Sequence, residues 1–367
     1  MLNHRCSALR SVDDLRQRGQ RSIKGVNDVS SEEVFQNSVD NSLAGEKLGA
    51  IVRRRTRVMR HYELMARIRN DKFSESAPRR DRLQLRKIAN SIELQFLSHY
   101  FGQPPRWRKL IRKFAHNRTL PDFGVIGPPK SGTSDLAVSV LSHPNVLLPL
   151  AKEIPTADVE RWRLYYPTQE EKAYHVSKSG VALSPYLHPS LHWMEVAYNF
   201  SRVRPNAKIV IVLRNPIERL YSHWKWEVLL AGRARVANLP FLKKFENYVK
   251  KSLEMYGTGV MYSACGAEGI LHSIYANSVS TWIECFGRKN ILVLDAAKYF
   301  RSRPESLRSI FSFVGLPQIE FPESVQIVNE NPLRPENMNR ITVEKLQTFF
   351  APHNEMLWNV IGEKFDW

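Results

Sequence analysis

The chain has 367 residues, of which 43% are hydrophobic, enough to bury one large α/β core plus an appendage. It has no apolar run long enough to cross a bilayer, no apolar core of a secretory signal, and two acidic residues, Asp13 and Asp14, that argue against a transit peptide. Three cysteines (Cys6, Cys265 and Cys285) are too few for a disulfide framework, and a Cys265–Cys285 pair and the redox compartment stay open.

The net charge of +18 is concentrated at the N-terminal end: residues 1–120 hold 26 Lys and Arg against 12 Asp and Glu, hence +14 of it. Residues 1–45 are polar and rich in Ser, Asn, Asp and Arg, a composition that predicts disorder. Residues 46–119 read as a basic helical extension. Leu48, Ile51, Val52, Val58, Met59, Tyr62, Met65 and Ile68 recur at helical steps, and Arg53, Arg54, Arg55, Arg57 and Arg60 share the segment. Pro78-Arg79-Arg80 breaks this region, and Ile88 to Phe101 suit a second helix. Basic amphipathic helices meet anionic membrane surfaces, nucleic acid or polyanionic substrates, although the plain reading is a solvated helix on the core.

A domain is expected from residue 120 to 367, opening on the run Phe123-Gly-Val-Ile-Gly-Pro-Pro-Lys-Ser-Gly-Thr-Ser134. A short strand ends at Gly127, a turn carries Lys130, and Ser131, Gly132, Thr133 and Ser134 lead into a helix whose Leu136, Val138, Val140 and Leu141 suit one buried face. A strand, a glycine-containing loop and a helix N-terminus form an anion site, because backbone N–H groups lack intrahelical partners and the helix dipole favours negative charge. Nucleotide-triphosphate loops place lysine directly after the second glycine; here Thr133 stands there and Lys130 precedes Gly132.

About eighty residues later, Ile209 to Leu213 is a continuous apolar run expected of a strand buried on both faces. Arg214 lies at its C-terminal end, where open α/β sheets bind ligands, and Asn215-Pro216 signals a helix start. Ser222 follows Arg214 by eight residues, about two helical turns, so a guanidinium and a hydroxyl could clamp one phosphomonoester. Ile291 to Leu294 reads as a further strand, followed by a helix through Leu307, Ile310, Phe311 and Phe313 and the turn Gly315-Leu316-Pro317. Two glycosylation triplets, at Asn117 and Asn199, carry little weight. His192, His223 and His272 are further polar candidates, and no His, Cys and Asp set has metal-ligand spacing.

The order Pro-Lys-Ser-Gly-Thr-Ser resembles the 5′-phosphosulfate loop of sulfotransferases that use 3′-phosphoadenosine 5′-phosphosulfate (PAPS). Arg214 with Ser222 resembles their 3′-phosphate motif. The resemblance covers about two-thirds of the chain and is closest in look to carbohydrate sulfotransferases of the heparan and glycosaminoglycan type. It extends through His143-Pro144, Ser184-Pro185-Tyr186, Tyr275 with Trp282 and Phe286, and the tail from Leu346 to Trp367; His143 reads as a structural turn residue. It implies a P-loop-NTPase-like α/β fold, a parallel sheet flanked by helices. It also implies PAPS as co-substrate, held by Lys130, Ser131, Gly132, Thr133, Ser134, Arg214 and Ser222, with no metal expected. Lys152-Glu153 resembles the Lys-Glu-Pro-His-Phe segment whose glutamate is the base, so Lys130 and Glu153 become the catalytic pair. Ile154 and Pro155 depart from that segment. Gly180-Val-Ala-Leu-Ser-Pro lacks the relatives' lysine unless Lys178 reaches in, and the C-terminal Lys-Gly-Arg loop is missing unless Arg334 or Arg340 replaces it.

The acceptor implied is a carbohydrate or another hydroxyl or amine, with a polyanionic chain or an anionic membrane surface as partner for the basic N-terminal region. A soluble cytoplasmic location is favoured over the Golgi lumen that animal glycan sulfation would imply. Two alternatives compete. One is a phosphate-loop kinase or NTPase with Asp295 as magnesium ligand. The other is a non-catalytic, basic nucleic-acid- or membrane-binding protein on this fold.

Overall fold

The computed structural model describes residue 112 and residues 117–234, 239–258, 267–319 and 337–367. The expected disordered segment, both N-terminal helices, Cys6, Cys265 and Arg334 lie outside the described residues.

Four parallel strands in the order β2-β1-β3-β4 form the sheet: β1 (Phe123–Ile126), β2 (Pro185–His188), β3 (Lys208–Leu213) and β4 (Ile291–Asp295). The register sets Phe123 against Pro185 on one side and Lys208 on the other, and Ile209 against Ile291. Parallel strands need crossovers, and these are helical: α1 (Thr133–Leu141), α2 (Val159–Trp162), α3 (Gln169–Ser179) and α4 (Met194–Val203) precede β3. After β3 come α5 (Pro216–Ala234), α6 (Phe245–Thr258) and α7 (Ala276–Phe286). Beyond β4 run α8 (Ala296–Arg301), α9 (Arg303–Val314) and α10 (Arg340–Ile361).

The period-two geometry of β3 divides the core. Ile209, Ile211 and Leu213 join α4, α7 and the end of α10 on one face, whereas Val210 and Val212 join α1, α8 and α9 on the other. All five are fully buried, as the unbroken apolar run predicts. A third cluster gathers Leu220 of α5, Phe245, Tyr248 and Val249 of α6, and Leu346 and Phe350 of α10. One expectation is corrected: α1 does not bury one face only, since Thr133 and Asp135 through Leu141 are all buried between the sheet and α8 and α9. Asp135 tolerates this because Tyr299 donates to it at 2.8 Å and Arg303 pairs with it at 2.9 Å.

The chain runs from β1 out to β2 and then back across to β3 on the far side of β1. That reversal opens a crevice at the C-terminal ends of β1 and β3, where ligands of open α/β sheets bind. The parallel sheet flanked by helices is thus the α/β fold with a phosphate-loop connection expected from the sequence. Among the described residues no helix is long and apolar enough to cross a membrane.

Candidate functional site

The β1–α1 loop is shaped by close backbone approach. A Cβ on Gly127 would lie 2.4 Å from the Val212 carbonyl oxygen, so β1 can pass β3 this tightly only as glycine. Two residues then turn left-handed: Lys130 at φ 74° and Gly132 at φ 90°. Gly132 caps α1 without a side-chain bond, leaving the first-turn N–H groups of that helix to a ligand. The loop carbonyls are held from the β3–α5 side. Arg219 Nη1 donates to Pro129 O at 3.0 Å, and Arg214 Nη1 donates to Lys130 O at 3.4 Å.

Arg219 is fully buried, and its remaining donors reach Ser273 Oγ at 2.7 Å and Gly269 O at 2.5 Å. Arg214 follows the last residue of β3, with its Nε donating to Glu218 at 3.2 Å and its own carbonyl accepting from Tyr275 Oη at 2.9 Å. The family-like Tyr275 therefore fixes the strand end. Trp282 does likewise for the turn after β2, donating to Leu191 O at 3.0 Å. Asn215 Oδ1 accepts from Ile217 N at 3.0 Å and so starts α5 where Asn-Pro predicts. Ser222 sits half-buried in the second turn of α5, on the same junction as half-buried Arg214.

Lys130 Nζ lies 4.4 Å from the centroid of the Trp226 ring, a cation–π contact from α5. Burial, then the charges of Arg214, Arg219 and Lys152, push its ammonium down to about 8, with Glu227 opposing them. Four cationic side chains thus converge before any ligand arrives, which is the electrostatics of a polyanion site.

Glu153 enters from the loop after α1. Its N–H donates to Leu187 O at 3.0 Å, which sets it beside the end of β2. It also has a left-handed backbone, φ 64°, and Lys130 and Glu153 are the two non-glycine residues of positive φ among those described. Such strain costs about 1–2 kcal/mol per residue and concentrates at functional positions. Its carboxylate pairs with Lys152 Nζ, a fully buried ammonium. Burial raises the Glu153 carboxyl, but Lys152, His188 and Lys130 together outweigh that and hold it below the ordinary carboxylate value. His188, at the end of β2, is pushed by burial to about 4, and its buried Nδ1 has no hydrogen-bond partner.

Lys130, Glu153 and Arg214 therefore come together, although they are distant in sequence. The other polar candidates are structural. His192 bonds Ser278 at 2.8 Å and the His272 carbonyl at 3.1 Å, and His223 Nδ1 shares a 2.7 Å bond with Tyr248 Oη. His143 accepts from Asn145 N at 3.1 Å, as expected of a turn residue. Lys178 lies exposed on α3, over the Tyr174 ring. Arg340 opens α10, exposed and paired with Glu344 at 2.8 Å. Asp295 is not a spare carboxylate: it caps α8 by accepting from Ala297 N at 3.2 Å and Lys298 N at 3.3 Å, and from Trp367 Nε1 at 3.2 Å. Sequence reasoning gave Lys152 no role of its own and missed Arg219, Trp226 and Glu227. The last three lie on the helix that the Arg-Asn-Pro motif opens, Trp226 and Glu227 being seven and eight residues, about two turns, past Arg219, so projecting that helix forward would have found them.

A phosphosulfate nucleotide fits this donor set. Ser131 Oγ is fully buried and has no hydrogen-bond partner, a hydroxyl left over beside Lys130 and the α1 N-terminus.

Residues 120–350 match the family described as Sulfotransferase domain. The chain is 24% identical over 316 residues to human carbohydrate sulfotransferase 15, with 68% of this chain and 55% of that protein covered. It is 24% identical over 220 residues to the bifunctional heparan sulfate N-deacetylase/N-sulfotransferase 1 of Caenorhabditis briggsae, covering 56% of this chain and 24% of that one. The chain thus spans about half, or less, of the length of these relatives. The crystal structure of a sulfotransferase from Alicyclobacillus acidocaldarius aligns with 67% of this chain and 98% of its own, at 24% identity and a TM-score of 0.49.

Proposed function

The chain belongs to the sulfotransferase family, and on that premise we propose that it transfers the sulfuryl group of PAPS to a hydroxyl or amine of a carbohydrate acceptor. The observation that carries the donor assignment is the convergence of Lys130, Lys152, Arg214 and Arg219 on the β1–α1 loop, beside the unpartnered hydroxyl of Ser131. Ser131, Gly132, Thr133 and Ser134 hold the 5′-phosphosulfate with Lys130. Arg214 and Ser222 hold the 3′-phosphate, the group that separates this nucleotide from ATP.

PAPS supplies an activated sulfur–oxygen bond; the protein supplies position and charge. Lys130 and the first-turn N–H groups of α1 stabilise the negative charge that collects on the departing phosphate. Glu153 takes the acceptor proton, with Lys152 orienting its carboxylate. Holding Glu153 below the ordinary carboxylate value keeps it ionised throughout the neutral range, so the base is always available. The carbohydrate acceptor is supported by the names of the relatives and by a site whose positive charge suits a uronate-bearing or sulfated chain.

The test is calorimetric titration with the desulfated nucleotide, 3′-phosphoadenosine 5′-phosphate (PAP), beside ATP with and without magnesium. Micromolar PAP binding that disappears in Arg214→Ala, with weak ATP binding, is the expected result. Tight Mg-ATP binding with none of PAP would overturn the assignment in favour of a kinase.

A further inference from the structure

Lys130 is held at both ends. Its backbone is left-handed at φ 74°, and Arg214 Nη1 donates to its carbonyl at 3.4 Å while Arg219 Nη1 donates to the preceding one, of Pro129, at 3.0 Å. At the other end its ammonium lies 4.4 Å from the centroid of the Trp226 ring. Among the described residues that ammonium makes no ion pair and no hydrogen bond, so the ring is its direct contact.

The two tryptophans of α5 divide their work. Trp224 faces α6: its Nε1 donates to Leu242 O at 2.9 Å, and its ring lies 5.4 Å from Tyr221 and 5.7 Å from Phe245, within the third apolar cluster. Trp226 stands two residues on, roughly 200° round the helix, and belongs to none of the three apolar clusters. Half-buried outside the core, it spends its ring face on a lysine of the donor loop. It also follows Ser222 by four residues, which puts the two side chains on one face of α5. One helix thus presents both the hydroxyl assigned to the 3′-phosphate and the support of the lysine assigned to the 5′-phosphosulfate.

We propose that Trp226 is a positioning residue for sulfuryl transfer: its ring is the seat that keeps the Lys130 ammonium over α5, at a fixed span from Ser222. The inference rests on the donor assignment made above. Burial and the like charges of Arg214, Arg219 and Lys152 all disfavour an ammonium at this place, with Glu227 opposing them. Without a seat, four methylenes let the side chain swing toward solvent, away from the oxygen whose charge it must meet. A ring face attracts the cation through its quadrupole and brings no formal negative charge against the incoming nucleotide. The ammonium is therefore placed before PAPS arrives, and its N–H groups are left to the phosphosulfate oxygens.

The experiment compares the full chain with Trp226→Leu, which keeps apolar bulk and loses the ring, and Trp226→Phe, which keeps a smaller ring. Trp224→Phe is the control on the opposite face. PAP affinity is measured from pH 7 to 9.5, and turnover is followed as transfer from PAPS to N-desulfated heparan sulfate. In Trp226→Leu the PAP Kd at pH 7 stays within about fivefold of the unmodified chain, the scale of one exposed cation–π contact. Its kcat falls about 10–100-fold, the scale of a reacting group displaced by up to an ångström. The pH at which PAP affinity is lost moves downward, because the free ammonium has lost its support; this readout needs no acceptor. Trp226→Phe recovers part of both effects, whereas Trp224→Phe lowers the Tm and leaves the affinity profile in place. An unmoved profile in Trp226→Leu overturns the inference, and a lower kcat beside it marks a ring that touches the acceptor instead. Unchanged kcat overturns it too, as does a parallel fall of PAP affinity, Tm and kcat, which marks a merely structural residue. Failure of the unmodified chain to bind PAP sinks the donor assignment, whereas PAP binding with an indifferent Trp226→Leu sinks this inference alone.

Discussion

Raising the pH tests the charge balance at Lys130 without changing an atom. In the free site its ammonium is held at about 8, against an ordinary lysine value of 10.5. A bound bisphosphate supplies the negative charge that burial and three cations withhold, so binding restores the ammonium toward its ordinary value. The pKa is depressed in the free state and recovered in the complex, so affinity is complete below pH 8 and lost as pH rises above it. If recovery is full, PAP binds about 30-fold more weakly at pH 9.5 than at pH 7, and about 0.9 proton is taken up per PAP bound at pH 9. Calorimetry in two buffers of different ionisation enthalpy at pH 9 measures that uptake directly, and titrations across the range give the affinity. Lys130→Ala should bind more weakly at pH 7 but show a flat profile from pH 8 to 9.5. An equally flat profile in the unmodified chain, with no proton uptake at pH 9, would refute the reasoning.

Three further outcomes can be checked. Glu153→Gln leaves PAP affinity near that of the unmodified chain and lowers turnover by about 10²–10⁴-fold, the usual contribution of a general base; unaltered steady-state rates would remove Glu153 from the chemistry. Arg219→Met strands two buried oxygens and the part-buried Pro129 carbonyl and costs about 3–5 kcal/mol, a Tm lower by roughly 6–20 °C in thermal denaturation followed by circular dichroism. Gly127→Ala forces a Cβ against the Val212 carbonyl and costs about 1–3 kcal/mol along with PAP binding. Gly124→Ala meets only the Ile209 and Phe200 side chains, so it should be milder in the same denaturation assay.

The parts of this protein legible in the sequence are those written in consecutive residues. β1, β3 and β4 are apolar runs, α5 opens on Asn-Pro, and α9 ends on Gly315 at φ 81°, so each is specified by its own composition. By contrast β2 is four residues long, begins with proline and alternates nothing; only pairing with β1 makes it a strand. The α3 helix was overlooked although Thr168 and Glu171 form a capping box, because few of its residues are apolar. In the site, Lys130 and Arg214 announce themselves through loop and strand-end chemistry. Lys152 and Arg219 do not, because a buried cation is defined by the carboxylate or carbonyls it meets, and those come from elsewhere in the chain.

The bonds of Arg219 have a consequence for how the protein is made. Its guanidinium joins Pro129, just after the first strand, to Gly269 and Ser273, just before α7, while Tyr275 pins the carbonyl of Arg214. The arginine that grips the phosphate loop is thus itself fixed by residues translated well over a hundred positions after that loop. A ribosome that has released the chain only through Ser222 holds every motif residue of the donor site and both arginines that grip the loop, but not Gly269, Ser273 or Tyr275, which fix those arginines. During synthesis the nucleotide can act as a folding template only late, once α7 has emerged, and binding competence becomes a report that this much of the domain has closed.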